Sequence, residues 1–459
     1  MNPSELQRDN AQYLWHPMAH PRAMKAEGGR PDIIARGEGC WVWDVDGHKM
    51  LDGVAGLWSS NLGHSCRPVR DAIVAQLDEL PFFNTFRGTT HPRAIELSAR
   101  VVDMMAPDGV AAVMFSNGGS DAVEGALKIA RQFHKLRGQK DRSKFIALKQ
   151  GYHGVHFGGM SVNGNTNFRR AYEPLLPGCF HLDSPWAYRN PWGLEGEALG
   201  HAVAQALERE LVFQGPDTVA AFIAEPVQGA GGVIIAPETY WPEVKRILSK
   251  YDILFVSDEV ICGFGRTGHW FGCQYYGMEP DLITFAKAVT NGFQPLGGVL
   301  VGERVASVLT QKGGEFGHGF TYSGHPAACA AGLATLAIIR EQGIIENVAS
   351  TLAPHLAARW ATLADHPLVG EARNLGLFGA LEIVKNKETG ERFSPGGHAG
   401  VVTRQASLNN GLVMRATGDS MIIAPPLVCS TAELDTLVDR ARAALDEALQ
   451  TLREDPAHW

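Results

Sequence analysis

At 459 residues the chain exceeds the ~250–300 residues at which a single hydrophobic core stops growing, so two domains are expected. Its 45% hydrophobic and 20% charged residues exclude a disordered or collagen-like chain, and Lys+Arg 41 against Asp+Glu 49 leaves a net charge of -8 without the cationic runs that nucleic acid or an anionic membrane would need. Seven scattered cysteines with no Cys-x-x-Cys pair, an N-terminus (MNPSELQRDN) unlike a signal peptide and no apolar run near ~20 residues point to a soluble, cytoplasmic protein with small-molecule partners, and away from a disulfide framework, a structural zinc site or a membrane span.

In chain order, residues 31–57 read as a small meander with turns at Gly37–Gly39 and Asp46–Gly47. Short apolar runs then alternate with helical patterns. Strands are predicted at Val110–Ser116, Lys144–Leu148, Thr218–Ala224, Ile253–Ser257, Asp281–Ala286 and Gly297–Val301, and their apolar character throughout suits a parallel sheet buried on both faces. Between the first two, Asp121–Leu136 carries Ala122, Val123, Ala126, Leu127, Ile129, Ala130 and Phe133 near helical spacing. The alternation predicts a doubly wound α/β domain. Residues 184–196 form a Pro/Trp/Gly loop, and the last ~130 residues mix helices with a few strands. The final helix opens with the capping box Ser430-x-x-Glu433 ahead of Leu434, Leu437, Val438, Ala441, Leu445, Ala448 and Leu449.

Ligands of parallel sheets bind beyond the carboxyl ends of the strands. The polar residues there are Gly118-Gly119-Ser120, Tyr152-His153, Glu225, Asp258 and Lys287. Desolvation at a strand end favours the neutral amine of Lys287, the form that attacks a carbonyl. Asp258, 29 residues earlier, lies about one βαβ unit away and can face the same crevice. A lysine that forms a Schiff base and an aspartate that pairs with a protonated ring nitrogen together suit pyridoxal phosphate. Asn117-Gly-Gly-Ser120 between a strand and a helix offers backbone N–H groups to the phosphate. Gly263-x-Gly265-x-x-Gly268 raises a nicotinamide or flavin dehydrogenase as a rival, although aromatic HWFGCQYY rather than a helical pattern follows it. His153-x-x-His156 and His16-x-x-x-His20 lack the glutamate of a metalloprotease motif, so no metal is expected.

With Ser257-Asp-Glu-Val-Ile-Cys-Gly-Phe-Gly-Arg-Thr-Gly268, Ala286-Lys287 and Gly319-Phe-Thr-Tyr-Ser-Gly-His-Pro326, the chain resembles, over nearly its whole length, the class III, fold type I pyridoxal-phosphate aminotransferases, most closely the branch that moves amino groups from ω-amino acids and amines to pyruvate. The resemblance implies a large domain (61–330) with a mostly parallel seven-stranded sheet, and a smaller α+β domain built from both chain ends (1–60 and 331–459). It also implies a homodimer, or a tetramer, with shared sites. By similarity Lys287 and Asp258 would be catalytic. Tyr152 and Val260 would flank the cofactor ring, Gly119 and Ser120 would bind phosphate, and His153 and Glu225 would complete the cofactor site, with Glu225 supporting the aspartate. Thr321 would reach the phosphate of the neighbouring subunit. Arg415 would take the substrate carboxylate, and Trp58, Phe86 and Ala230 would line the substrate pocket with Tyr152. Relatives often read Ser-Gly-Ser-Glu where Gly118-Gly119-Ser120-Asp121 stands here, which shifts phosphate binding toward the backbone. The implied reaction is a ping-pong transfer from an ω-amino acid or primary amine to pyruvate, giving alanine. The alternatives are another class III activity (decarboxylase, racemase or aminomutase) or, from the glycine motif, the dehydrogenase.

Overall fold

The computed structural model describes residues 2–26 and 32–454. Its centre is a seven-stranded sheet of Val110–Ser116 (β1), Lys144–Leu148 (β2), Cys179–Leu182 (β3), Val219–Ala224 (β4), Leu254–Asp258 (β5), Leu282–Phe285 (β6) and Gly297–Gly302 (β7), in the order β1-β7-β6-β5-β4-β2-β3. Every residue of β4, β5 and β6 is buried, as both faces of a parallel sheet should be. Six of the seven strands had been expected from their apolar runs; β3, with the sequence CFHL, is too short and too polar to stand out.

The sheet is mostly parallel, as expected, with one strand reversed. β7 runs antiparallel to both neighbours, β6 and β1. A parallel crossover needs a dozen or more residues, usually including a helix, whereas only Ala286–Leu296 joins β6 to β7, and its one regular element is the 3₁₀ turn Lys287–Thr290. The chain can therefore only fold back beside the strand it has left. Gly297 and Gly298 open β7, and a Cβ at Gly297 would come within 2.7 Å of the Gly118 carbonyl. The absent side chain lets the glycine turn after β1 lie against the neighbouring strand.

After β1 the helix Gly119–Leu136 (α1) starts two residues earlier than its apolar pattern predicts. The meander comprises Ile34–Glu38, Trp41–Asp44 and Lys49–Asp52, paired antiparallel; residue 31 of the expected segment lies outside the described residues. Leu412–Val413 joins its edge in parallel with Lys49–Asp52, so strands from both ends of the chain share one sheet. A second antiparallel sheet holds Val369–Leu375, Phe378–Ile383, Ser420–Ile423 and Arg415–Thr417, in that order. The last helix, Thr431–Arg453, has the expected capping box: Ser430 Oγ accepts the Glu433 N–H, and the Glu433 carboxylate accepts the Ser430 N–H. Leu434, Leu437, Val438, Ala441, Leu445 and Ala448 on it are buried.

Gly263–Gly268 does not build a dinucleotide fold. Turns follow β5, and the next helix, Gly272–Tyr275, is only four residues long. Arg266, fully buried, donates to the carbonyls of Leu377 and Pro425 and to Asn61 Oδ1. The segment bolts the C-terminal part of the chain to the central sheet. Among the described residues no single helix is long and apolar enough to cross a membrane.

Candidate active site

The carboxyl ends of β1, β2, β4, β5 and β6 converge on a cavity of about 180 Å³ whose walls include Gly119, Ser120, Tyr152, His153, Glu225, Asp258, Val260 and Lys287. These are eight of the nine residues the sequence nominated for the cofactor. Gly154 and Ile261 complete the lining.

Lys287 follows β6 by two residues and takes a left-handed backbone at φ 51°. For a non-glycine residue that conformation is strained, and it persists only because Ala288, Val289 and Thr290 are buried around it. The residue keeps some surface open to the cleft while its amine is crowded by protein atoms. Burial pushes the Lys287 pKa down to about 8, against the opposing pull of Asp258 and Glu225. The neutral amine is thus accessible near physiological pH.

Asp258 ends β5 and is 3% exposed. His153 Nδ1 lies 2.7 Å from its Oδ2, while Thr284 Oγ1 (3.0 Å) and the Val260 N–H (3.2 Å) donate to its Oδ1. A buried carboxylate held by three donors keeps its charge in place and aims it. His153 is itself fixed, because its backbone N–H donates to Asn163 Oδ1, and Asn163 Nδ2 donates to the Gly154 carbonyl. Glu225, just past β4, acts on the backbone around the cavity: its two oxygens accept the N–H groups of Tyr152 (3.0 Å) and Gly229 (2.9 Å). Burial raises its pKa to about 7, although His153 pulls the other way.

The third part of the cavity is the start of α1. This helix has no side-chain cap, so its first N–H groups are left for a ligand anion, and its dipole favours one. A Cβ at Gly119 would fall 2.9 Å from Val260 Cγ1, so the turn has room for a ligand only because glycine stands there. Ser120 Oγ accepts the Val155 N–H, which ties the Tyr152–Gly154 loop to the turn.

Trp58, 3% exposed and at φ 58°, stands beside this cavity. Lys287 Nζ lies 5.5 Å and Arg415 Cζ 5.3 Å from its ring centroid. Burial lowers the pKa of Arg415 and raises that of Tyr152, which packs edge-on against Phe168. Ala230 packs against the apolar cluster that contains Trp58. Two nominated residues are elsewhere in the single chain. Phe86 lines a separate, larger groove of about 830 Å³, and Thr321 is exposed on the turn after Phe320.

Four residues of the site are not assigned a role by the sequence reading: Thr284, Asn163, Gly154 and Ile261, the last quoted only within the motif Ser257–Gly268. Thr284 could have been found, because it is the one hydroxyl in the apolar run Leu282–Phe285 and is wholly buried. Asn163 and Gly154 carry no comparable signal.

The side chains fit pyridoxal phosphate. His153 Nε2, Trp58 Nε1 and Arg415 Nε are buried polar atoms without a protein partner. His153 lines, and Trp58 and Arg415 stand beside, a cavity that already joins a desolvated lysine, a clamped carboxylate and an uncapped helix start.

Comparison with known proteins agrees. The family model for class-III aminotransferases matches residues 24–445. The chain belongs to the class-III aminotransferases. A putrescine–pyruvate aminotransferase of Pseudomonas aeruginosa is 46% identical over 94% of this chain and 93% of its own. A diaminobutyrate–2-oxoglutarate transaminase of Halomonas elongata is 39% identical over 96% of each. Among solved structures, a pyridoxal-phosphate-bound amine transaminase from an uncultivated Pseudomonas species superposes with a TM-score of 0.91 at 41% identity, covering 95% of this chain and 98% of that one. An (S)-enantioselective omega-transaminase from Thermomicrobium roseum gives 0.94 at 41% identity, covering 98% and 99%. As a class-III aminotransferase the protein uses pyridoxal phosphate on a fold type I scaffold.

Proposed function

We propose that this class-III aminotransferase takes the amino group of a primary amine or ω-amino acid and passes it to pyruvate, giving alanine, in a ping-pong cycle. The similarity to the putrescine–pyruvate and omega-transaminases supports this reading. One geometric observation carries it: a desolvated lysine shares a cavity with a clamped aspartate and an uncapped helix N-terminus.

When bound, pyridoxal phosphate supplies the electron sink that lets the carbon bearing the amino group lose a proton. The chain does the rest. Asp258, fixed by His153 and Thr284, would pair with the ring nitrogen and favour its protonated form. The first N–H groups of α1 and the Ser120 hydroxyl would hold the phosphate, and Val260 and Tyr152, both in the cavity wall, would hold the ring. With its low pKa, Lys287 serves as the base and then the acid that carries the proton. Arg415, a planar guanidinium beside Trp58, binds the pyruvate carboxylate in a bidentate fork, while Trp58, Tyr152 and Ala230 wall the amine's tail.

Assembly into a homodimer belongs to the same reading. Phe82, Phe83, Phe86 and Tyr322 leave an apolar strip exposed on the single chain, beside the groove that Phe86 and Gly317–Gly319 line. Burial of that strip in a second copy would carry Phe86 and Thr321 to the neighbour's cavity. Residues 61–330 act as the cofactor-binding domain, with 1–60 and 331–459 as the smaller one, and the cytoplasm is the proposed location. The test is a donor panel of β-alanine, taurine, putrescine and an aryl-alkyl amine with pyruvate. Stoichiometric alanine supports the proposal. Release of carbon dioxide, or isomerisation of the donor without an acceptor, would replace it by the decarboxylase or by the racemase and aminomutase alternatives.

A further inference from the structure

Outside the lining of the cofactor cavity, two cysteines 389 positions apart meet in the core. Cys40 follows the tight turn at Gly39 and precedes the strand Trp41–Asp44; Cys429 immediately precedes the cap of the last helix. They are 3% and 4% exposed, and their sulfurs lie 3.1 Å apart. That is inside the ~3.5–4.0 Å at which non-bonded heavy atoms pack. Both backbones are pinned: the Cys40 carbonyl accepts the Asp52 N–H at 2.8 Å, and Leu427, two residues before Cys429, donates to the Asn61 carbonyl at 2.7 Å. Trp41 Nε1 also donates to Glu433 Oε1 at 2.9 Å, tying the flanking strand to the helix.

We propose that Cys40 and Cys429 are an oxidation site, at which a small peroxide converts the thiol pair into a disulfide joining the two ends of the chain. Among the described residues Glu433 is the other ligand-bearing side chain close to the pair, so a metal is the competing occupant. The geometry disfavours it. Two thiolates on one tetrahedral zinc stand about 3.8 Å apart, and the Glu433 oxygens already accept from Trp41, Ser430 N and Ser430 Oγ.

The chemistry balances. One sulfur, as thiolate, attacks a peroxide oxygen; the O–O bond breaks, leaving a sulfenic acid and, after protonation, one water. The second sulfur attacks the sulfenic sulfur, the S–S bond forms, and the hydroxyl departs with the thiol's proton as a second water. Two thiols are oxidised by two electrons and hydrogen peroxide is reduced to two waters. The hydrogen bond to Cys40, together with burial, raises the Cys429 pKa and makes the first step slow, so the reaction belongs to sustained exposure rather than to rapid sensing.

The cross-link has a structural effect near the site. Asp52, whose N–H is held by Cys40, accepts the N–H groups of Val54 and Gly56 at the start of the turn that carries Trp58. A bond from Cys40 to Cys429 fastens this support to the last helix and shrinks the unfolded ensemble of nearly the whole chain.

The holoenzyme, purified under reducing conditions, is treated with hydrogen peroxide, its remaining thiols are alkylated, and it is digested without reductant for mass spectrometry. The expected result is a peptide pair joined through Cys40 and Cys429. Before digestion the chain should migrate faster on a non-reducing gel and melt higher than the reduced protein. Cys40→Ser and Cys429→Ser should each keep reduced-state turnover and lose the fast band. Recovery of both cysteines alkylated, their separate conversion to sulfinic acids, or stoichiometric zinc held by the purified protein would overturn the proposal.

Discussion

The low pKa of Lys287 follows from where its backbone puts it. The left-handed φ after β6 directs the side chain into a crowded pocket, and crowding brings its pKa to about 8. Competitive labelling of cofactor-free protein with an amine-selective reagent should therefore titrate Lys287 with a midpoint near 8, with reactivity lost below it as the ammonium forms, whereas exposed lysines should titrate near ~10.4. Lys287→Ala should lower turnover at least ~100-fold, the lower end of what a positioned proton carrier contributes, without altering the circular-dichroism spectrum. At Arg415 a charge-assisted fork is worth about 1.5–3 kcal/mol, so Arg415→Ala should raise the KM for pyruvate about 10- to 100-fold. The KM for a donor lacking a carboxylate should move far less, and equal shifts of both would place Arg415 outside carboxylate recognition.

Among the elements, the strands β5, β6 and β7 aim these side chains. β6 contributes twice, through Lys287 beyond its end and through Thr284 within it, whose hydroxyl bonds Asp258. Thr284→Val keeps the shape and removes that bond, so cofactor affinity should fall by about tenfold, from a loss of ~1–2 kcal/mol, with folding preserved. β7 contributes by what it lacks. At Gly297 an added methyl would meet backbone atoms on both sides, the Gly118 carbonyl and the Phe285 carbonyl oxygen, and neither can turn aside as a side chain would. Gly297→Ala should cost about 1–3 kcal/mol of stability and weaken phosphate binding through the displaced turn, as thermal melts and cofactor titration will read.

For the molecule as a whole, the exposed phenylalanines and Tyr322 near the larger groove are the surface that the proposed homodimer would cover. Sedimentation should report twice the 49.6 kDa chain mass. Phe82→Glu should shift it toward the monomer, and activity should fall with it even though every residue of the cofactor cavity is untouched. A monomeric wild-type protein with full turnover would remove the shared-site reading.

The legible part of the protein was whatever obeys a local rule. Apolar runs marked six strands of the central sheet, and a capping box marked the last helix. Strand-end chemistry marked Asp258 and Lys287, because a parallel sheet delivers whatever follows its strands to one edge. Contacts with no sequence period were not legible. The reversal of β7 depended on the length of one loop, and the grip of Thr284 and His153 on Asp258 depended on which strands became neighbours. The meeting of Cys40 with Cys429 depended on both chain ends closing on one core. Sequence alone determined the chemistry available to this protein, since residue types and their short-range spacing are local. Tertiary structure decided which groups are desolvated, clamped or brought face to face, because burial and long-range pairing exist only once the chain has packed.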